Sequence, residues 1–578
     1  MLYRFKYLML VALIGSFVSC KKSFLDINTD PNNPTTVALS TLLPGVQRTM
    51  GDAMSLDENN GGLSNVLAVY SHQMTTREEA DKYGMTGSDP TIGNPWAKFY
   101  SNSPNPGTGA PLYGILQNLE DIIATGTLDG NMRYVGIAKI LKAYSYSVLV
   151  DVFGDIPYTE ANKSKEGIIY PTFDDDASVY EKLFPLIDEG ISNLNDAAAP
   201  NGRVPGTDDI MYGGNTGKWV KAANTLKLKL YTQIRKVKNV SADVTSLLGT
   251  ASLISATNES FLVPYGPNGS TDDRNPGFYT YYATQRSNHV SPWFYEILKG
   301  YNPNIFTGNP DPRLPYYIYN QVNATQASRD GNQTEYRDGP FVSIYFGSVG
   351  PDRDRTQQNT ISLFGIYPVG GKYDDGSATI ASAASGTGAA PYRLITYADR
   401  LYLEAELIQS GVIPGDAAAK LSAAMTESFK QVDYVITQFV KPSQTVPTLM
   451  GANGATPTAA VATYMQNVMT AFAAGSADKK LEIIMTQKWL SSVGASVDQY
   501  NDIRRTGYPI LFDPATAPGG RVQPPLNGDP VQPNQKSVPV QISRTFALAL
   551  PWDQTELETN PNAPAQKNPS SYKVFWMP

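Results

Sequence analysis

Residues 132–150, MRYVGIAKILKAYSYSVLV, decide the fold. Ile137, Leu141, Tyr144 and Val148 recur three to four positions apart, so they share one face of a helix and form an apolar stripe that needs a partner. The partner is the preceding segment Leu112–Ile123, which has the same spacing. Downstream, Val179, Leu183, Leu186 or Ile187, Ile191 and Leu194 repeat the pattern, and Trp219, Ala223, Leu226, Leu230 and Ile234 repeat it again. Two further pairs follow, Leu394–Gln409 with Ala417–Val432 and Ala460–Ala473 with Asp478–Ser492. Gly411, Pro414 and Gly415 separate the members of the first of these, as a helix stop and a short connection require.

Each pair is too small to bury its own stripe, so neighbouring pairs must stack. The expected fold is mainly α, with about four tetratricopeptide-like helix pairs near 112–150, 178–237, 392–432 and 460–492. Large loop-rich insertions, rich in Pro, Gly and Asn, break the regular repeat near 258–380, 441–459 and 511–545. We divide the chain into residues 1–19, 20–34 and a single body at 35–578, with a loop-rich insertion over 258–391 and an irregular C-terminal region over 510–578. Within the insertion, Asp374–Pro391 (DDGSATIASAASGTGAAP) is low in complexity and is predicted to be a mobile loop or a plain linker.

The first twenty residues have the layout of an export signal. Arg4 and Lys6 precede an apolar run from Leu8 to Val18, followed by Ser19 and Cys20. The run is shorter than the roughly 20 apolar residues that span a bilayer. Cys20 is the chain's single cysteine, placed where a thiol would be diacylated after cleavage. Residues 1–19 are therefore expected to be a lipoprotein signal peptide and 20–34 a lipidated tether, so that the body meets the membrane through its lipid alone. With that cysteine committed, no disulfide is available and stability must come from burial.

Composition narrows the function further. The formal net charge is −7, and removal of Arg4 and Lys6 makes it more negative by two, which argues against nucleic acid as a partner. Gly (48) and Pro (42) are abundant and Tyr (35) outnumbers Phe (20), as suits a loop-rich protein displaying rings with a polar end. Only His72 and His289 are present, and no GxSxG, HExxH, Walker-type or GxGxxG motif occurs. The chain is accordingly expected to bind and not to catalyse, with no cofactor and no metal. Acidic runs at Asp174–Asp176, Asp272–Asp273 and Asp374–Asp375 lack EF-hand spacing and read as solvated turns. A surface hydrolase, which needs only two carboxylates, and a helical adaptor for other proteins are the alternatives.

Several motifs together resemble the SusD/RagB family of outer-membrane nutrient-binding lipoproteins, most closely its SusD-like branch. They are Phe24-Leu25-Asp26 after the cysteine, Asp151–Ala161 (DVFGDIPYTEA), Asp311–Leu314 (DPRL), Tyr397–Glu406 (YADRLYLEAE) and Gln487–Pro509 (QKWLSSVGASVDQYNDIRRTGYP). Each motif is expected to serve the core architecture before it serves a ligand. The resemblance implies helix pairs with a looped ligand face, an outer-membrane location facing the cell exterior, and a SusC-like TonB-dependent transporter as partner. It implies a glycan ligand, with a peptide as the alternative.

A sugar site needs aromatic faces to stack on pyranose C–H surfaces, with amides and charges to hold the hydroxyls. Asn268–Tyr295 combines these groups, so Arg274, Asn275, Tyr281, Tyr282, Arg286 and Trp293 are the predicted ligand-binding residues. Trp96 joins them because the resembled family often places an aromatic from this early region at its site. Trp219 and Trp489 lie on helical faces and are assigned to the core.

Overall fold

The computed structural model describes residues 37–578 apart from 59, 78, 102–113, 268–271, 284–285, 303–304, 307, 325–334, 350–357, 512, 514–520 and 523–537. The predicted signal peptide, Cys20 and the tether lie outside the described residues. Helices of eight or more residues are α1 (Leu39–Met54), α2 (Leu63–Tyr70), α3 (Pro90–Tyr100), α4 (Ile115–Leu128), α5 (Met132–Phe153), α6 (Asp176–Leu194) and α7 (Thr216–Ile234). They continue with α8 (Ser241–Thr250), α9 (Pro292–Lys299), α10 (Tyr397–Gln409), α11 (Ala417–Tyr434), α12 (Ala459–Ala474), α13 (Ala477–Ser491) and α14 (Ser496–Thr506). Among the described residues, no helix is long and apolar enough to cross a membrane.

The fold is mainly α. Four helix pairs, α4/α5, α6/α7, α10/α11 and α12/α13, form its scaffold. Six of their eight helices begin with a side-chain cap on a backbone amide, from Asp175, Asn215, Thr396, Asp416, Thr458 and Ser476. Such a cap holds one of the otherwise unpaired first-turn N–H groups and fixes where the helix starts. Stacking runs through the pairs, with α5 against α6, α7 against α10 and α10 against α13. At the α5/α6 crossing, Gly136 and Gly190 face each other: a Cβ on Gly136 would sit 2.7 Å from the Gly190 carbonyl oxygen. Any side chain at Gly136 would push the two backbones apart.

Three helices before the first pair, α1 to α3, were not anticipated. Pro44 and Pro95 interrupt the polar-rich sequence there, yet both sit inside helices because packing outweighs propensity. α1 packs on α4 and α5, while α14 packs on α2 and closes the far end.

The family motifs hold these pieces together. Arg313 and Asp311 of DPRL form a fully buried ion pair at 2.5 Å, and the Arg313 guanidinium also donates to Ser428 of α11. Arg505 donates to Glu406 of α10 at 2.8 and 2.9 Å and to Asp502 at 2.6 Å. Asp151 accepts from Trp576 Nε1 at 2.9 Å and from Asn501 at 3.0 Å, which ties the chain's last residues and α14 to the end of α5. Trp552, Trp576, Trp219 and Trp489 are all core residues, none more than 3% exposed.

The insertion leaves and re-enters the scaffold at one place. Strand Phe261–Val263 pairs antiparallel with Tyr392–Ile395, Tyr392 lying opposite Val263. Between these strands the chain makes short antiparallel pairs, including Ile318–Tyr319 with Leu363–Phe364 and the hairpin Glu335–Asp338 with Phe341–Ile344. Asn288–Val290 reaches back to pair with Met74–Thr76.

Candidate ligand-binding face

The low-complexity stretch is not a mobile loop here. An irregular segment cannot satisfy its own backbone carbonyls, so each buried one must find a donor elsewhere. Residues 371–390 find theirs in side chains the sequence had marked for a ligand. Arg274 donates to the Ala383 carbonyl at 2.9 Å and Asn275 Nδ2 to that of Ala390 at 2.8 Å. The Asn275 amide donates to Gly388 O at 2.7 Å. Arg286 donates to the carbonyls of Ala381 at 2.8 Å, Tyr281 at 2.5 Å and Gln358. Tyr282 gives its hydroxyl proton to Phe364 O at 2.9 Å and accepts from Lys372 N at 3.1 Å. Tyr319 closes the far side through Thr379, and Thr387 Oγ1 donates to Val440 O. The segment is a strap latched along its length.

Of the seven predicted ligand residues, four, Arg274, Asn275, Tyr282 and Arg286, therefore converge on this strap as its anchors, and Tyr281 packs beneath them on Phe364. Asn275, Tyr281, Tyr282 and Arg286 are buried, and the Tyr282 ring stacks on Phe278 at 4.8 Å. The expected open platform of Tyr281 and Tyr282 is corrected accordingly: their rings have more apolar surface to bury than a loop tip can leave in water. Trp96 is also corrected to the core, 3% exposed and packed against Tyr100, Phe153 and Phe173. Trp293, on the first turn of α9, keeps part of its ring exposed, and Arg274 is half-buried.

What the strap leaves open is a polar-aromatic rim. At one end the exposed Asp272 carboxylate accepts from Arg274 at 2.5 Å and from the Tyr279 hydroxyl, while the guanidinium lies over the half-exposed Tyr279 ring at 4.9 Å. Hydrogen bonding from Arg274 pulls the Asp272 carboxyl down to about 2, so it stays ionised at every physiological pH. Along the strap follow Lys372, over the Tyr319 ring at 4.7 Å, and Tyr373, half-exposed and edge-on to Tyr316. Exposed Asp375 accepts from Gln444 at 2.7 Å, and hydrogen bonds from Ser377 hold its carboxyl below the usual range. Rings, carboxylates, an ammonium and an amide thus alternate, which is the chemistry that grips hydroxyl-rich ligands. Tyr373, Lys372 and Gln444 were missed in the sequence because nothing local distinguishes them from ordinary loop residues.

The described residues also account for groups that might have suggested other chemistry. Both histidines are core residues, His72 stacking on Phe346 at 4.1 Å, and burial lowers His72 to about 3 so that it stays neutral. Asp155, Asp175 and Asp176 lie within 4.8 Å of one another, but each already accepts from a backbone amide: Asp176, Ser178 and Phe575 respectively.

Stacked helix pairs carrying a strapped, loop-built rim define a class of binding scaffold. The chain belongs to the SusD-like family described as starch-binding and associating with the outer membrane, whose model matches residues 31–525. Among solved structures it is similar to a chitin-binding protein, with 19% identity over 91% of this chain and 95% of that one and a TM-score of 0.63. It is similar to a SusD homologue from Bacteroides uniformis at 19% identity, covering 93% and 99% of the two chains with a TM-score of 0.61. A SusD/RagB family protein from Bacteroides thetaiotaomicron gives 19% identity, 94% and 99% coverage and a TM-score of 0.61. At this identity the likeness is one of fold. Among curated protein sequences none matches significantly. Members of this family are outer-membrane nutrient-binding proteins and not enzymes.

Proposed function

We propose that this chain captures an oligosaccharide or polysaccharide at the outer membrane and delivers it to a SusC-like TonB-dependent transporter, without catalysing a reaction. The observation that carries this reading is the rim itself: half-exposed Tyr279 with Asp272 and Arg274 at one anchor of the strap, and half-exposed Tyr373 with Lys372, Asp375 and Gln444 along it. Rings on a latched segment lose little freedom when a ligand binds, which favours affinity. Arg274 and Trp293 remain proposed ligand residues because both keep accessible surface. Lipidation of Cys20 would hold the body at the membrane, facing the cell exterior. The family's description as starch-binding supports a glucan, and the chitin-binding neighbour supports an amino-sugar polymer.

The test is retention of the purified body on starch and chitin in native affinity gels. Tyr279→Ala and Tyr373→Ala should each weaken retention with no change in melting temperature. Unchanged retention in both variants, or release of shorter sugars by the wild type, would overturn the reading. Cys20→Ser should move the protein from the membrane to the soluble fraction.

A further inference from the structure

A cleft of about 260 Å³ opens between α12, α13 and Ile305, Phe306, Gly308 and Asn309, on the scaffold and not on the strap. Its apolar wall is Ile305, Phe306, Ala471 and Ile483. Phe306 adopts φ 52°, a left-handed conformation that a bulky side chain takes only when its surroundings impose it.

The polar wall carries an unmet need. Glu482 is 6% exposed; its Oε2 lies 3.0 Å from Lys479 Nζ, and its Oε1 is buried without a hydrogen-bond partner. A buried carboxylate oxygen left without a donor is costly, and in a cleft that opens to solvent a ligand can supply one. Beside it the Asn467 amide donates to Asn309 Oδ1 at 3.0 Å, which leaves the Asn467 carbonyl oxygen as a second acceptor at the exposed mouth.

We propose that this cleft is a second binding site, taking one neutral, hydroxylated ring of monosaccharide size. Three features select that class. Its volume lies just below the roughly 300–1,000 Å³ of sites for drug-sized ligands, so one ring fits and a chain does not. Lys479 Nζ sits beside Glu482 Oε2, so a cationic ligand would compete with Lys479 and an anionic one would meet Glu482. An aromatic and aliphatic wall opposite acceptors matches a molecule with C–H faces and hydroxyl edges. This site stands apart from the strap rim, and neither requires the other.

The experiment titrates the mature protein with D-glucose, D-galactose, D-mannose and N-acetyl-D-glucosamine, by saturation-transfer NMR and calorimetry. Ala471 is exposed and points no polar group at its neighbours, so Ala471→Trp should plug the mouth without unfolding the protein. At least one of the four sugars should bind, and Ala471→Trp should weaken it by about tenfold or more. Glu482→Gln, which keeps the shape but loses the charge and half the acceptor capacity, should weaken it to a lesser degree. Tyr279→Ala should leave it unchanged, and Ala471→Trp should leave polysaccharide retention unchanged. Absence of binding by all four sugars at millimolar concentration, or binding indifferent to Ala471→Trp, would overturn the proposal. Loss of monosaccharide binding in Tyr279→Ala would also overturn it, by moving the sugar to the rim.

Discussion

The helical scaffold and the strap both rely on buried arginines, but they use them against different partners. In the scaffold, Arg505 and Arg235 close on the Glu406 carboxylate, which is fully buried on α10. In the insertion, Arg286 reaches mainly for backbone carbonyls, and Arg274 adds one, that of Ala383, to its pairing with Asp272. The difference follows from backbone geometry. A helix satisfies its own carbonyls, so side chains on neighbouring helices are free to pair charge with charge. A strap without regular structure exposes carbonyls that only side-chain donors can meet. Arginine is suited to both because its fixed fork of donors can serve several acceptors at once.

The comparison breaks most visibly at Glu406. Burial alone would raise its carboxyl, but Arg235 and Arg505 outweigh that and hold it below the ordinary carboxylate range. Glu406→Ala takes the carboxylate from buried Arg235 and from Arg505, which keeps Asp502, and should cost about 3–5 kcal/mol in urea unfolding. Because the folded-state value is depressed, this stabilisation is present above the unfolded carboxyl's value of about 4.5. It should be lost as pH falls below that point. Acid unfolding monitored by circular dichroism checks the sign: a scaffold that grew more stable on acidification would contradict the pairing.

Gly136→Val probes the scaffold's packing instead of its charge. Overfilling the α5/α6 crossing should cost about 1–3 kcal/mol, read as a lower denaturation midpoint.

Arg286→Ala sharpens the contrast, since it should act locally. Leaving the Ala381 carbonyl without its donor, while Gln358 keeps only the one from Gln321, should cost about 1–3 kcal/mol. Hydrogen exchange should quicken at Ala381, whose amide is bonded to Gln321, while protection in α5 and α10 stays unchanged. Uniform loss of protection would mean that the strap and the scaffold unfold as one unit.

The smallest effect belongs to Asp272→Asn on the rim. The pair with Arg274 lies at the surface with its carboxylate reachable by water, and Arg274 keeps its bond to Ala383, so loss of the pair should change stability by less than about 1 kcal/mol. Its depressed carboxyl confines even that contribution to pH above about 2. Ligand retention should fall more than stability does.

The helix pairs were legible because period and punctuation agree. Apolar residues three and four apart mark the buried stripe, and Gly411, Pro414 and Gly415 mark a stop; the caps at Asp175, Asn215, Thr396, Asp416, Thr458 and Ser476 came from the structure. The early helices were not legible, since Pro44 and Pro95 argue locally against what packing enforces. The candidate face was half legible. Asn268–Tyr295 does lead to it, but as the latch beneath the surface, and the accessible groups at Lys372, Tyr373 and Gln444 come from segments far downstream in the chain, brought in by Tyr282, Arg286 and Thr387.

By itself the sequence determined the class of scaffold, because helical periodicity and helix stops act over a few residues and survive any tertiary context. Only the tertiary structure decided which aromatics face solvent. A tyrosine in a strap and a tyrosine under it have the same composition around them, and burial depends on which distant carbonyls are left needing a donor.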